Sequence, residues 1–354
     1  MKRFQCACGQ RLAFENVQCL ACGRRLAFAP ERLELVTLEA LQGDLWRIAD
    51  DASGQARRLC LHYEPTGICN WLCAPRDDSG YCLSCAMTHE IPDLRVAGNL
   101  ERWMKIEAAK RRLIYGLLAL HLPLKGGGGN SMVAAAGLRF SFVAETPTRH
   151  VVSGHENGLI TLAITEADDA ARASIRETLG EPYRTLLGHL RHEAGHYYWA
   201  RLVAGSGWLS RCRALFGDET IDYAAALERH YREGPPAHWP DTHVSAYASA
   251  HPYEDWAETW AHYLHIRDML ETAQAHGIRV SDTPGAPAQI SDHWDFNLLV
   301  QAWLPVILAV NDLNRSMGLP DMYPFVLPPA ALDKLQFVHD VVTGVPQGWP
   351  TART

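Results

Sequence analysis

Nine of the ten cysteines in this chain lie between Cys6 and Cys85, and the tenth, Cys212, stands far downstream. Paired spacings of the Cys-x-Cys and Cys-x-x-Cys kind organise a segment around metal rather than around a large apolar core. The N-terminus, Met1-Lys2-Arg3-Phe4-Gln5-Cys6, lacks the apolar run of a secretory signal. The thiols are therefore expected to stay reduced, in the cytoplasm, and to serve zinc.

The first 28 residues use one pattern twice, CACGQRLAFEN and then CLACGRRLAF. Each copy is a cysteine pair, a glycine and an apolar strand. Cys6, Cys8, Cys19 and Cys22 would form one tetrahedral thiolate site, and so small a unit draws its folding energy from the metal. A second cluster follows in Cys60, Cys69, Cys73, Cys82 and Cys85. Cys82 and Cys85 are a firm pair, but five thiols compete for four positions. The other two ligands are Cys60 with Cys69, or Cys69 with Cys73.

The 354 residues allow one sizeable core beyond these modules. A net charge of -7 argues against a general nucleic-acid binder, although residues 1–28 are locally basic through Lys2, Arg3, Arg11, Arg24 and Arg25. No stretch reaches the roughly 20 consecutive apolar residues of a membrane span, so none is expected. Leu100 to Leu120 reads as an amphipathic helix, and Gly126 to Gly129 as a flexible loop. Two strand-like runs, Leu138–Val143 and Leu159–Ile164, the second entered by Asn157-Gly158, suggest a small antiparallel sheet. Helical patterns then occupy about 170–204, 207–216, 220–233, 253–278, 290–316 and 329–343. The expected fold is α+β: a mostly helical domain over 93–354 with a small antiparallel sheet. A zinc ribbon over 1–28 and a second Cys-rich zinc module over 29–92 precede it.

Within the helical domain stands Arg191-His192-Glu193-Ala194-Gly195-His196, and it makes the expectation for 93–354 a zincin-like peptidase domain. Positions four apart share a helix face, so His192 and His196 can turn both imidazoles toward one ion while Glu193 stands beside them as general base for a zinc-activated water. A third ligand is needed. A metzincin would place Gly and His where this chain has Trp199 and Leu202, which excludes that class. The run His251-Pro252-Tyr253-Glu254-Asp255-Trp256-Ala257-Glu258 offers a carboxylate instead. Glu254 suits the third ligand, and Glu258, four residues on, suits a carboxylate that orients a ligand His through its other nitrogen.

This Glu-x-x-x-Glu segment after an HExxH helix resembles that of gluzincins. The wider chain is similar to a bacterial family of zinc-binding metallopeptidases, through CNWL, YCLSC, GLITL, RHEAGHYYW, EDWAETWAHYLHI and LNRSMGLPDMYPFVL. The resemblance implies that Cys60, Cys69, Cys82 and Cys85 form the second thiolate site, because the position of Cys73 often lacks a cysteine there. It also implies an oxyanion-stabilising role for Tyr247, seven residues before Glu254, since lethal-factor-like gluzincins carry a Tyr there. Tyr197, Tyr198 and His251 are rivals for that role. About three zinc ions follow, one catalytic and two structural.

The expected function is zinc-dependent peptide hydrolysis on a peptide or protein substrate, with Leu159–Ile164 as an edge strand to which an extended substrate could add. The alternative is an adaptor that binds a protein or nucleic acid through its ribbon and carries an inactive or partner-activated peptidase body. A protein partner for the ribbon is the interaction expected; nucleic acid is not.

Overall fold

A computed structural model of the chain describes residues 1–64, 66–75, 77, 79–126, 136–146, 148, 150–179, 183–278, 280 and 295–344. Most of the expected glycine loop, 127–129, lies outside them. The chain divides into two compact units, one chiefly of residues 2–126 and 137–169 and the other chiefly of 170–346.

In the N-terminal unit, β1 (Phe4–Gln5) pairs antiparallel with β2 (Arg11–Leu12), and β3 (Leu26–Ala29), β4 (Glu34–Ala40), β5 (Leu45–Ile48) and β6 (Arg57–Arg58) form an antiparallel sheet in that order. Ala27, Ala29, Val36, Leu38, Ile48, Tyr63 and Leu72 make its core. A short α1 (Leu83–Ala86) and the long α2 (Asn99–Ala119) follow. The cysteine knuckles are not left to metal alone. Phe14 lies 5.0 Å from Phe28 and 5.7 Å from Tyr115 of α2, and Phe28 lies 4.7 Å from Trp71. One aromatic core thus joins residues of the first knuckles, the second module and α2.

The third sheet has the order β7-β8-β10-β9, from β7 (Thr88–Glu90), β8 (Arg139–Val143), β9 (Gly154–Glu156) and β10 (Leu159–Ala163). Both expected strands are there, but they pair in parallel, Leu159 opposite Arg139 and Ala163 opposite Val143. The antiparallel partner of β10 is β9, joined to it through Asn157 and Gly158, both at positive φ as a tight two-residue hairpin requires. That arm, Gly-His-Glu, is too short and polar to read as a strand. The expected edge at Leu159–Ile164 is corrected accordingly: β10 is paired on both sides, and β7 and β9 are the edges. Under this sheet Lys110 and Glu107 form a fully buried ion pair of 2.8 Å, with the ammonium over Phe140 and Phe142.

The second unit is helical: α3 (Asp169–Leu179) leads into it, followed by α4 (Leu186–Tyr198), α5 (Leu209–Phe216), α6 (Tyr223–Glu233), α7 (Pro252–Ala275), α8 (Phe296–Ser316) and α9 (Pro329–Thr343). The expected helix over 170–204 is divided, and Thr185 opens α4 by accepting the Gly188 N–H at 3.0 Å. A π-helical turn, Trp199–Val203, closes α4. In α7, Pro252 occupies the first turn and His251 caps it, its Nδ1 accepting the Tyr253 N–H at 3.0 Å. The consecutive residues Glu254 to Ala257 and Thr259 to Leu264 are all buried, so α7 is enclosed around its whole circumference there, which marks it as the central helix rather than an amphipathic surface one. Among the described residues, α8 is the one helix long and apolar enough to cross a membrane, by length and composition alone. Its Trp303 and Ile307 are buried, and Asn311 exchanges hydrogen bonds of 3.0 and 3.1 Å with the Tyr323 backbone.

Helices α4 and α7 meet at Gly195. A Cβ there would stand 2.9 Å from Ala257 Cα and 3.2 Å from Trp260 Cβ, while the Gly195 carbonyl accepts the Trp256 indole N–H at 2.8 Å. Alanine usually gains up to about 1 kcal/mol over glycine inside a helix, but here it drives two backbones apart. Gly195→Ala is therefore expected to destabilise the protein by about 1–3 kcal/mol, measured by denaturant unfolding at fixed zinc. Unchanged or increased stability would show that the contact tolerates the methyl group.

Candidate metal centres

The sulfurs of Cys6, Cys8, Cys19 and Cys22 all lie within 4.8 Å of one another, with Cys6 to Cys22 and Cys8 to Cys19 both at 3.6 Å. Four thiolates about 2.3 Å from one ion would stand about 3.8 Å apart, so the spacing suits zinc. Gly9 and Gly23, at φ of 90° and 73°, let each knuckle turn back, their N–H groups donating to the Cys6 and Cys19 carbonyls. The second group brings together Cys60, Cys69, Cys82 and Cys85, all buried, with Cys69 to Cys82 at 3.5 Å. Backbone N–H groups of Trp71, Cys82 and Cys85 point at the sulfurs of Cys69, Cys60 and Cys82. Cys73 stays out of this group. Burial pushes its thiol up to about 12, and its carbonyl accepts two hydrogen bonds from Arg57.

The third group is His192, His196 and Glu254, whose donor atoms also lie within 4.8 Å of one another. Helix α4 presents the histidines one turn apart, and α7 presents the carboxylate opposite. Glu254 Oε2 is 2.9 Å from His192 Nε2, and Oε1 is 3.5 Å from His196 Nε2. His192 Nδ1 donates to Glu258 Oε1 at 2.7 Å, and Ser245 Oγ donates to Glu258 Oε2 at 2.7 Å. With its Nδ1 proton so engaged, His192 has Nε2 to give to a metal once the proton that Glu254 favours there is displaced. Tyr253 lies tilted against His196, ring centres 4.2 Å apart, and donates to its backbone carbonyl. Two imidazoles and one carboxylate around a common point fit zinc with a position left for water.

Charge in this pocket is balanced by contact. Burial opposes charge on His192, yet Glu254 and Glu258 outweigh it and hold the imidazole well above its ordinary range. Burial likewise opposes ionisation of Glu254, yet His196 and His192 hold it well below the usual carboxylate range. For Glu193 burial again raises the pKa, but the His189 hydrogen bond and the charges of His192, His189 and His196 prevail and lower it to about 2.

Tyr247, in the 3-10 turn Tyr247–Ala250, places its ring 5.9 Å from that of His192. Its rivals are engaged elsewhere. Tyr197 and Tyr198 are fully buried, Tyr198 stacked on Trp260, and His251 caps α7. Three neighbours were not singled out from the sequence. Tyr223 of α6 donates to Glu254 Oε1 at 2.6 Å, Ser245 holds Glu258, and His189 Nε2 stands 3.1 Å from Glu193 Oε1. His189 alone was open to recognition, four residues before Glu193 on a helix already identified. Burial, with Glu254 next, pushes the phenols of both Tyr223 and Tyr247 up, so both remain neutral O–H donors.

Residues 99–341 match the family model described as "Putative zinc-binding metallo-peptidase", and residues 3–96 match a zinc-ribbon domain. Uncharacterized proteins of Mycobacterium tuberculosis and Mycobacterium bovis are each 45% identical over 348 residues, 98% of this chain and 96% of theirs. No solved structure matches.

The purified protein is expected to hold about three zinc ions, lost from the third site in Glu254→Ala. Glu258→Ala and Ser245→Ala act through the orientation of His192 and are expected to weaken zinc there by about 10–100-fold for the carboxylate and less for the hydroxyl. Metal titration with a competing chelator measures both effects. Equal loss in Glu254→Ala and Glu258→Ala would reverse the two roles.

Proposed function

Because the chain belongs to this family of zinc-binding metallo-peptidases, we propose that it hydrolyses peptide bonds, with His192, His196 and Glu254 as zinc ligands and Glu193 as general base. The observation that carries this reading is the convergence of those three donors beside a buried acid whose Oε2 has no hydrogen-bond partner among the described residues. Zinc, when bound, supplies a Lewis acid that polarises the scissile carbonyl and lowers the pKa of the attacking water to about 7. Glu193 receives that water's proton on Oε2 and returns it to the departing amine. Tyr223 already gives its O–H to Glu254, so Tyr247, a neutral phenol whose ring lies 5.9 Å from that of His192, is the donor assigned to the oxyanion that develops on the carbonyl oxygen.

The two thiolate sites are proposed to hold structural zinc. Eight thiolates dedicated to zinc call for a reducing compartment, and the cytoplasm is the location proposed. The substrate is a peptide or protein, and the ribbon is the surface for any protein partner.

Glu193→Gln separates an enzyme from a zinc-holding scaffold. Gln keeps the shape of Glu but cannot take the proton, so zinc content and unfolding are expected to match wild type while turnover falls by about 10²–10⁴. The measurement compares new peptide termini in proteomes exposed to either protein. An equal set of cleavages would refute the mechanism, and retained zinc with slower turnover in Tyr247→Phe would place that phenol on the oxyanion.

A further inference from the structure

The HExxH signature requires nothing four residues before its glutamate, yet α4 carries His189 there. Residues i and i+4 stand one above the other on a helix, and His189 Nε2 lies 3.1 Å from Glu193 Oε1. The pair is sheltered, with side-chain exposures of 14% for His189 and 7% for Glu193. His189 is not among the convergent ligand atoms, which are those of His192, His196 and Glu254. Its ring is directed instead at the acid.

A lone glutamate is a poor instrument for this chemistry. Its side chain turns about three bonds, and either carboxylate oxygen can swing toward neighbouring imidazoles. A base must stand within hydrogen-bond reach of the proton it removes, and a misplacement near 1 Å can cost about 100-fold in rate. A fixed donor on one oxygen removes that freedom.

We propose that His189 is a positioning residue: its Nε2 hydrogen holds Oε1 of Glu193, so that Oε2 alone is presented to the reacting water. The inference rests on the peptidase reading of the site and adds to it the residue that aims the base. The two oxygens of Glu193 already differ in the way this requires, Oε1 bonded to His189 and Oε2 buried with no partner among the described residues. The neutral imidazole suffices, since only an N–H donor is needed. Glutamine at position 189 can supply an amide N–H from the same turn, whereas leucine fills the space without a donor.

Acetohydroxamate tests this without a known substrate. It chelates a zinc ion that has open positions, and its hydroxamic proton is taken up by a base carboxylate beside the metal. In the full-length, zinc-loaded protein, calorimetry is expected to show binding weakened about 10-fold in His189→Leu, as for loss of a hydrogen bond to a charged group. His189→Gln should restore it, and His189→Ala should repeat the leucine result. Zinc content and affinity should match wild type in all three. Wild-type acetohydroxamate binding in His189→Leu and His189→Ala, or no recovery in His189→Gln, would overturn the role of His189. Glu193→Gln serves as the reference. If it binds acetohydroxamate as well as wild type, then Glu193 does not face the metal, and the hydrolytic reading falls together with this one. A loss confined to Glu193→Gln refutes the positioning role alone.

Discussion

A helix that is buried on every side must pair the charges it carries, and α7 carries several. Glu254, Asp255 and His262 are buried in it and Glu258 is largely so, and an unpaired charge in such a place is unaffordable. These four side chains have dedicated partners, Glu254 through Tyr223 among others. Asp255 pairs with Lys334 at 2.6 Å, Glu258 with His192 and Ser245, and His262 Nδ1 with the Tyr323 hydroxyl at 2.5 Å. Further along, Tyr263 and His339 meet at 3.1 Å, and Asp268 holds Arg191, the residue that precedes His192, at 2.6 Å. The placement of α4 is bound up with this requirement, because two of its side chains, Arg191 and His192, satisfy carboxylates of α7. The glycine contact at Gly195 is what lets the two backbones come close enough for both bonds to form.

Much of this was legible in the residues. The imidazole pair, the base and the two α7 carboxylates follow from spacing along single helices, where a period of 3.6 turns sequence separation into direction. The thiolate knuckles were legible for a similar reason, since short metal loops have nearly fixed spacing. What escaped was everything that depends on contact between distant segments. Nothing in Asp222-Tyr223-Ala224 says that the phenol will reach Glu254, and nothing about Ser245 foretells Glu258. The pairing direction failed for the same cause. Periodicity marked Leu138–Val143 and Leu159–Ile164 as strands, but pairing direction belongs to the connection, and the short β9 intervened. Cys60 and Cys73 were indistinguishable by spacing, and the fold separates them by directing Cys73 away from the sulfur cluster.

The three metal groups also differ in what surrounds them. Two members of the first, Cys8 and Cys22, are exposed, whereas all four thiols of the second are buried. Backbone amides aimed at sulfur disperse the charge of the second group. In the third group two of the ligands are held by side chains that act from behind, Glu258 on His192 and Tyr223 on Glu254. That contrast matches closed sites, where the surroundings need only hold, against an open one, where they must also orient.

The aromatic core of the N-terminal unit bears on how freely this chain could exchange parts with others. Zinc ribbons are often imagined as beads that recombination can add or delete. Here Phe4 and Phe14 lie over Phe28 and Tyr115, and the Asn70 side chain donates to the Phe14 carbonyl at 2.6 Å. Excising the first knuckles would strip the cover that Phe14 gives to Trp71 of the second module and Tyr115 of α2. The ribbon and its neighbours thus make one packing unit, and a chain without the ribbon would need polar residues on the face of α2 so exposed.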